Sequence, residues 1–272
     1  MTQVESTNTE TELANAGPDY FDEHGRRIPP ESGFAVHHQT RRYFVCDQPQ
    51  IDYAASHHRI ATHLGAEHPL SATAFETRAE AILEGLRRDP RTRRITSGVG
   101  VPFFLPKAAC DDIGRQMDAV YLKGVQGAFQ ERFPAYDFVN HHAGGLEGKL
   151  SITPGSRHER LLDEMSRSDV VGYYFPCLLE YSIPAALEQM EALPENLLLA
   201  GGFDTCAALA GSPDLLLRTD GYPPLLWLAA LSGEKAGIGY HFEAYGYNLT
   251  FNRRAHLDQA AEYWASGLVA IG

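Results

Sequence analysis

The run IGYHFEAYGYNLTF, residues 238–251, sets Tyr240, Phe242 and Ala244 on one side and His241 and Glu243 on the other. That two-residue period belongs to a β-strand with unlike faces, and aromatic side chains suit a pleated surface. Together with residues 225–231 it supplies the last strands of the chain. Working back, strands are expected at 170–175, 149–153, 136–141, in the glycine-punctuated stretch 95–105, and as a short piece at 42–46. Helices are expected between them, at 51–64, 71–88, 111–129, 156–165, 182–193 and 203–210, with a closing helix at 255–264. The clearest is 71–88, where Phe75, Ala79, Ile82, Leu83 and Leu86 form one apolar face and Thr73 and Glu76 stand at capping-box spacing. Ser156 and Glu159 repeat that spacing, and Pro184 suits the first turn of its helix. Strands and helices mix without regular β-α-β alternation. The expected class is therefore α+β, a mixed or antiparallel sheet flanked by helices, with room for an uncommon fold.

Residues 1–33 read as a flexible acidic N-terminal tail, and 34–272 as a single α+β domain. The segment 2–15 is polar, and residues 25–33 add Pro29 and Pro30, so little apolar burial offsets the entropy of ordering. The first packed element is expected between Phe34 and Phe44.

A net charge of −12 and a pI near 5.4 argue against general nucleic-acid or anionic-membrane binding, which needs a basic surface. Cys46, Cys110, Cys177 and Cys206 are far apart with no C-x-x-C, so reduced thiols are the expectation. A leader signature and a membrane-length apolar run are both missing, and a cytoplasmic protein is expected. The sequon at Asn248 is then accidental. P-loop, G-x-S-x-G, H-E-x-x-H and kinase signatures are absent. Gly98-Val99-Gly100 resembles half a dinucleotide fingerprint, but Pro102 and the apolar residues after it continue a strand, so a bulged strand is the reading.

Twelve histidines, six of them as the pairs His37/His38, His57/His58 and His141/His142, point to proton transfer or anion handling. In the helix at 51–64, Asp52, Ser56, Arg59 and His63 form one polar stripe, with apolar residues and His58 to one side and His57 to the other. Such a stripe suits a cleft for an anionic or zwitterionic ligand; a solvated helix face is the plain alternative. In the strand 136–141, Asn140 and His142 share a face ahead of two glycines, where His142 would serve as acid or base. On the last strands Glu243 is placed to orient His241, with Tyr240 opposite. Arg87, Arg88, Arg91, Arg93 and Arg94 close a helix and make a local anion site, where an acidic partner such as a phosphopantetheinylated carrier domain would dock.

The function expected is cofactor-independent biosynthetic acid–base catalysis, of the secondary-metabolite tailoring kind, acting on a small polar or carrier-bound substrate by elimination, isomerisation or ring closure. Asp52, His57, His58, His142, His241 and Glu243 are the catalytic candidates, and Arg59, Ser56, Asn140 and Tyr240 the substrate-binding ones. Neither a metal nor a cofactor is expected, and an oligomer is allowed. Asp52, Arg59 and one of the histidines should line a single cavity. The alternatives are a non-catalytic ligand-binding or regulatory subunit, and a metal-dependent hydrolase.

Overall fold

The computed structural model describes residues 19–28, 32–37, 43–65 and 70–272. The stretch 2–15, Pro29, Pro30, His38 and Arg42 lie outside the described residues. At the centre of the sheet are β4 (Val170–Leu179), buried along its whole length, and β10 (Trp264–Ile271). Both are covered on two faces, which is why they read as continuous apolar runs rather than alternating ones. β10 pairs antiparallel with β4 on one edge. On its other edge it pairs in succession with β6 (Leu225–Trp227), parallel, and β5 (Leu197–Leu199), antiparallel. β1 (Val101–Leu105) lies outside β4. Beyond β6 come the antiparallel pair β8 (Ile238–Tyr245) and β9 (Asn248–Ala255), then the short β2 (Phe138–Asn140), parallel to β9. β3 (Ser151–Ile152) and β7 (Leu231–Ser232) pair separately. The order β1-β4-β10-β6-β8-β9-β2 makes a mixed, mainly antiparallel sheet in an α+β fold.

Register fixes the faces. Pro102 lies opposite Tyr173 and Phe104 opposite Val171, so Phe104, Tyr173 and Phe175 point to one side of the sheet and Tyr174 to the other. On the first side packs α2 (Ala72–Arg88), whose Phe75 meets Phe104 edge-on at 5.5 Å between ring centroids. On the second lies α7 (Gly202–Gly211), where Thr205 reaches Tyr174. Every residue of α7 is buried, including Asp204, whose carboxylate accepts the Gly201 N–H at 2.9 Å at the helix start. α1 (Tyr53–His63) touches α2, α7 and β1, and so covers an edge strand that would otherwise present unpaired backbone groups. Among the described residues no helix is long and apolar enough to cross a membrane.

The expected elements differ from the observed ones at several places. The closing helix at 255–264 does not form. His256, at φ 63°, turns the chain out of β9, and the buried run after it becomes β10. α2 is capped by Ser71, whose hydroxyl accepts the Ala74 N–H at 3.2 Å, so Thr73 is already inside the helix and the Thr73/Glu76 box is unused. Ser156 is buried and takes the His158 N–H at 3.3 Å instead of capping α5 (Glu159–Arg167). The helix expected at 111–129 is α3 (Ile113–Gln116) and α4 (Leu122–Arg132) joined by a π turn over Met117–Tyr121. The stretch 95–105 begins as a 3-10 turn before β1, and of residues 43–46 only Phe44 makes a bridge, to Tyr222. α6 (Ile183–Ala192) starts after Ser182, its hydroxyl cap, with Pro184 in the first turn as expected.

The largest correction concerns the segment assigned to the tail. Phe21 is 1% exposed and belongs to the core, and its backbone bridges to Arg27. The Arg27 N–H donates to the Cys177 carbonyl at 3.0 Å, tying this strap to β4. Arg27 itself is buried, with its guanidinium on the Tyr20 and Ile28 carbonyls. A single aromatic anchor plus paired backbone orders residues 19–28, which composition had marked as unable to pack.

Candidate functional site

Between the strap and the Tyr173 face of the sheet is a cavity of about 800 Å3, within the range usual for small-molecule sites. Its floor is Tyr173, Phe175, Cys177 and Leu179, alternate residues of β4, with Pro176. Leu83 and Arg87 come from the last turns of α2, and His24 and Arg26 from the strap. Val45, Cys46, Gln48, Pro49 and Ile51, with residues 96–100, complete the wall. They are joined by Gln48, whose amide accepts the Gly100 N–H at 2.9 Å and donates to the Gly100 carbonyl at 3.0 Å, as a strand partner would. Gly98 explains its own identity here. Gly25, at φ 72°, packs so closely that a Cβ on it would lie 2.3 Å from the Gly98 nitrogen, and a Cβ on Gly98 would lie 2.6 Å from the His24 carbonyl oxygen. The Gly98-Val99-Gly100 motif therefore serves backbone approach rather than dinucleotide binding.

The electrostatics of the cavity are one-sided. Arg26, Arg87 and His24 line it and no Asp or Glu does, although the chain as a whole is strongly acidic. The balancing carboxylates stand outside the lining: Asp22 holds Arg26 Nε at 2.9 Å, and Glu80 lies 4.0 Å from Arg87. Cys46 and Cys177 also line the cavity, and burial pushes both thiols up to about 12, which leaves them protonated and without nucleophilic character at neutral pH. Tyr173 is also pushed up to about 12, by burial first, while the Arg87 charge acts the other way. Its hydroxyl is 2.8 Å from that of Tyr53, which donates to Glu80 Oε1 at 2.6 Å.

None of the catalytic or substrate-binding candidates chosen from the sequence lines this cavity. The polar stripe of α1 is spent on structure. Asp52 caps the helix by accepting the Ala55 N–H at 2.9 Å. Ser56 Oγ and the Arg59 guanidinium both donate to the carbonyl of Gly211, the last residue of α7. His57 Nε2 meets the Leu70 carbonyl oxygen at 2.5 Å and its ring stacks on Phe104, while His58 is exposed. His63 faces Glu131 at 2.7 Å. Asp52, Arg59 and a histidine, expected to line one cavity together, do not line this one, and Asp52 and Arg59 instead complete backbone hydrogen bonding that helix ends require.

The residues from the strands do meet. The His142 ring stands edge-on to Tyr240 at 5.5 Å, and its backbone N–H donates to Asn140 Oδ1 at 2.8 Å. Burial holds the His142 imidazole below the usual histidine range, and its Nε2 is buried with no hydrogen-bond partner. The Tyr240 hydroxyl donates to Glu234 at 3.1 Å, and Glu234 pairs with Arg253 at 2.9 Å. On the other face of β8, His241 Nε2 lies 3.6 Å from Glu243, and the nearby imidazole holds the Glu243 carboxyl below its ordinary value. His241 is buried against Trp227, so the pair is part of the sheet's packing.

The arginines at 87–94 divide. Arg88 pairs with Glu84, Arg91 with Asp89 and Arg94 with Asp19, whereas Arg87 turns to the cavity. Sequence reasoning marked Arg87 but missed Arg26 and Tyr173, the first because it lay in the assumed tail, the second because one residue of an unbroken apolar strand carries no distinguishing signal. Among the described residues no three His, Cys, Asp or Glu side chains gather as metal ligands would. No family model, curated protein or solved structure matches this chain.

Proposed function

We propose that the protein binds a small organic anion with an apolar body in the cavity beneath the strap. The observation that carries this reading is the lining: guanidiniums and an imidazole at the wall, aromatic rings and thiols on the floor, and no carboxylate, in a chain of net charge −12. Guanidinium is suited to bidentate recognition of a carboxylate or phosphate. The anion belongs in the cavity rather than along the arginine run as an acidic partner, since Arg88, Arg91 and Arg94 stand within 3.0 Å of local carboxylates whereas Arg87, which lines the cavity, lies 4.0 Å from Glu80. Calorimetric titration with a series of aromatic and aliphatic carboxylates tests the reading. Arg87→Ala should weaken binding of any anion that binds by about 10- to 100-fold, the worth of one charged hydrogen bond or pair. Equal affinity for the carboxylates and their neutral amides, or for wild type and Arg87→Ala, refutes it.

A second reading, cofactor-independent acid–base conversion of that anion by elimination, isomerisation or ring closure, is favoured by the Tyr173–Tyr53–Glu80 chain, which runs from the cavity floor to a carboxylate half exposed at the surface. Tyrosine and carboxylate replace histidine and Asp52 as the groups of interest.

A further inference from the structure

The hydrogen-bond chain at the cavity floor has a direction, and that direction selects the ligand. A tyrosine hydroxyl has one proton to donate and two lone pairs to accept with. Tyr53 donates its proton to Glu80 Oε1 at 2.6 Å. The 2.8 Å contact between the two hydroxyls is therefore filled by the proton of Tyr173, directed to Tyr53, which does not line the cavity. What remains on Tyr173 is an acceptor lone pair, on a residue 3% exposed that lines the cavity. Arg87, the cavity guanidinium, lies 4.0 Å from Glu80 at the far end of this chain of hydroxyls, so the anion site and this acceptor are linked through the same hydrogen-bonded groups.

Resting on the anion-binding reading above, we propose that the ligand is an organic acid that also carries a hydrogen-bond donor, a hydroxyl or an N–H, which docks on the phenolic oxygen of Tyr173. Hydroxy acids and amide-bearing acids fit this site; plain acyl chains and acids whose only second group is a carbonyl or ether do not, because Tyr173 has no proton free to give them. Glu80 acts through Tyr53 and is a positioning residue: it orients both hydroxyls without touching the ligand.

The test uses three matched probes, 3-(4-hydroxyphenyl)propanoate, 3-(4-methoxyphenyl)propanoate and 3-phenylpropanoate, titrated calorimetrically into the full chain. Wild type should bind the hydroxyl probe about tenfold more tightly than the other two, the usual worth of one buried hydrogen bond. Tyr173→Phe should remove that preference, so that the three probes bind within about twofold of one another, since only the hydroxyl is lost. Glu80→Ala supplies the decisive readout. With Glu80 gone Tyr53 turns its proton toward Tyr173, Tyr173 is released as a donor, and the methoxy probe should gain affinity relative to 3-phenylpropanoate. A structural role for Glu80 would shift all three probes together. If wild type binds the three probes equally, or Glu80→Ala leaves their ranking unchanged, this inference is overturned and the anion-binding reading stands. If none of the carboxylates binds, both fall.

Discussion

Arg59 and Ser56 make a prediction that separates a structural stripe from a catalytic one. Gly211 closes α7, so its carbonyl is among the last of a helix and has no partner within it. Ser56 Oγ reaches it at 3.0 Å and Arg59 Nε at 3.1 Å, and Arg59 Nη2 lies 3.5 Å from Ser56 Oγ. Either donor alone keeps the oxygen satisfied. Ser56→Ala should then cost about 1 kcal/mol and Arg59→Ala about 1.5 kcal/mol, the net worth of one ordinary and one charged hydrogen bond. Removing both orphans a carbonyl beside a serine that is 2% exposed, adding a desolvation penalty of about 1–2 kcal/mol, so the double variant should lose roughly 4 kcal/mol. The two substitutions thus couple by at least about 1 kcal/mol, well beyond the ~0.3–0.5 kcal/mol within which independent sites add. For a chain of this length the double variant should melt about 8 °C below wild type, at roughly 2 °C per kcal/mol. Urea unfolding followed by circular dichroism, with the complete cycle of four proteins, measures the coupling. Additive losses would show that Gly211 is not held by this pair. An Arg59→Ala protein of full stability that no longer binds the carboxylates of the Arg87 test would restore a ligand-binding role to the stripe.

Two further outcomes follow from packing and charge. Gly98→Ala sets a Cβ against the strap backbone at 2.6 Å, so it should loosen residues 19–28 and speed tryptic cleavage after Arg26 and Arg27 with the sheet intact; unchanged cleavage would mean the strap is not seated on Gly98. Glu243 has a carboxyl held low by His241, so its contribution is fully present above the ordinary carboxylate range near pH ~4.3 and is lost as pH falls through the lowered folded value. Glu243→Gln should therefore be less stable than wild type at neutral pH and converge with it in acid; a difference that widens as pH falls would reverse the assignment.

What could be read in the sequence follows from how each element is covered. α2 has one buried face and one wet face, so its apolar period was plain and its limits were met within a residue. β8 alternates because its two faces differ, and that alternation set His241 and Glu243 side by side as found. β10 escaped because both its faces are buried; a strand of that kind has no period to distinguish it from a helix, and the polar turn before it looked helical. The polar stripe of α1 was correctly seen as a stripe, yet its meaning depended on Gly211, a carbonyl about 150 residues away that no local pattern announces. The pairing of His142 with Tyr240 is likewise a product of β9 lying between β2 and β8.

The same dependence on distant partners bears on how the cavity would respond to a ligand. One of its two guanidiniums, Arg26, stands on the strap, and the other, Arg87, on α2 at the sheet. An anion held by both adds a bridge between two pieces of chain already joined by Phe21 in the core, the contact of Gly25 with Gly98, the hydrogen bond from Arg27 to Cys177 and the salt bridge of Arg94 with Asp19. Binding must then hold the strap down, by linkage, in proportion to RT ln(1 + [L]/Kd), about 2.7 kcal/mol at a hundredfold excess over Kd. Asp22 and Glu80 set the opposing cost. Each already faces one of these guanidiniums, so the incoming anion competes for donors that are partly engaged, and it gains most where it can use guanidinium N–H groups that those carboxylates leave free.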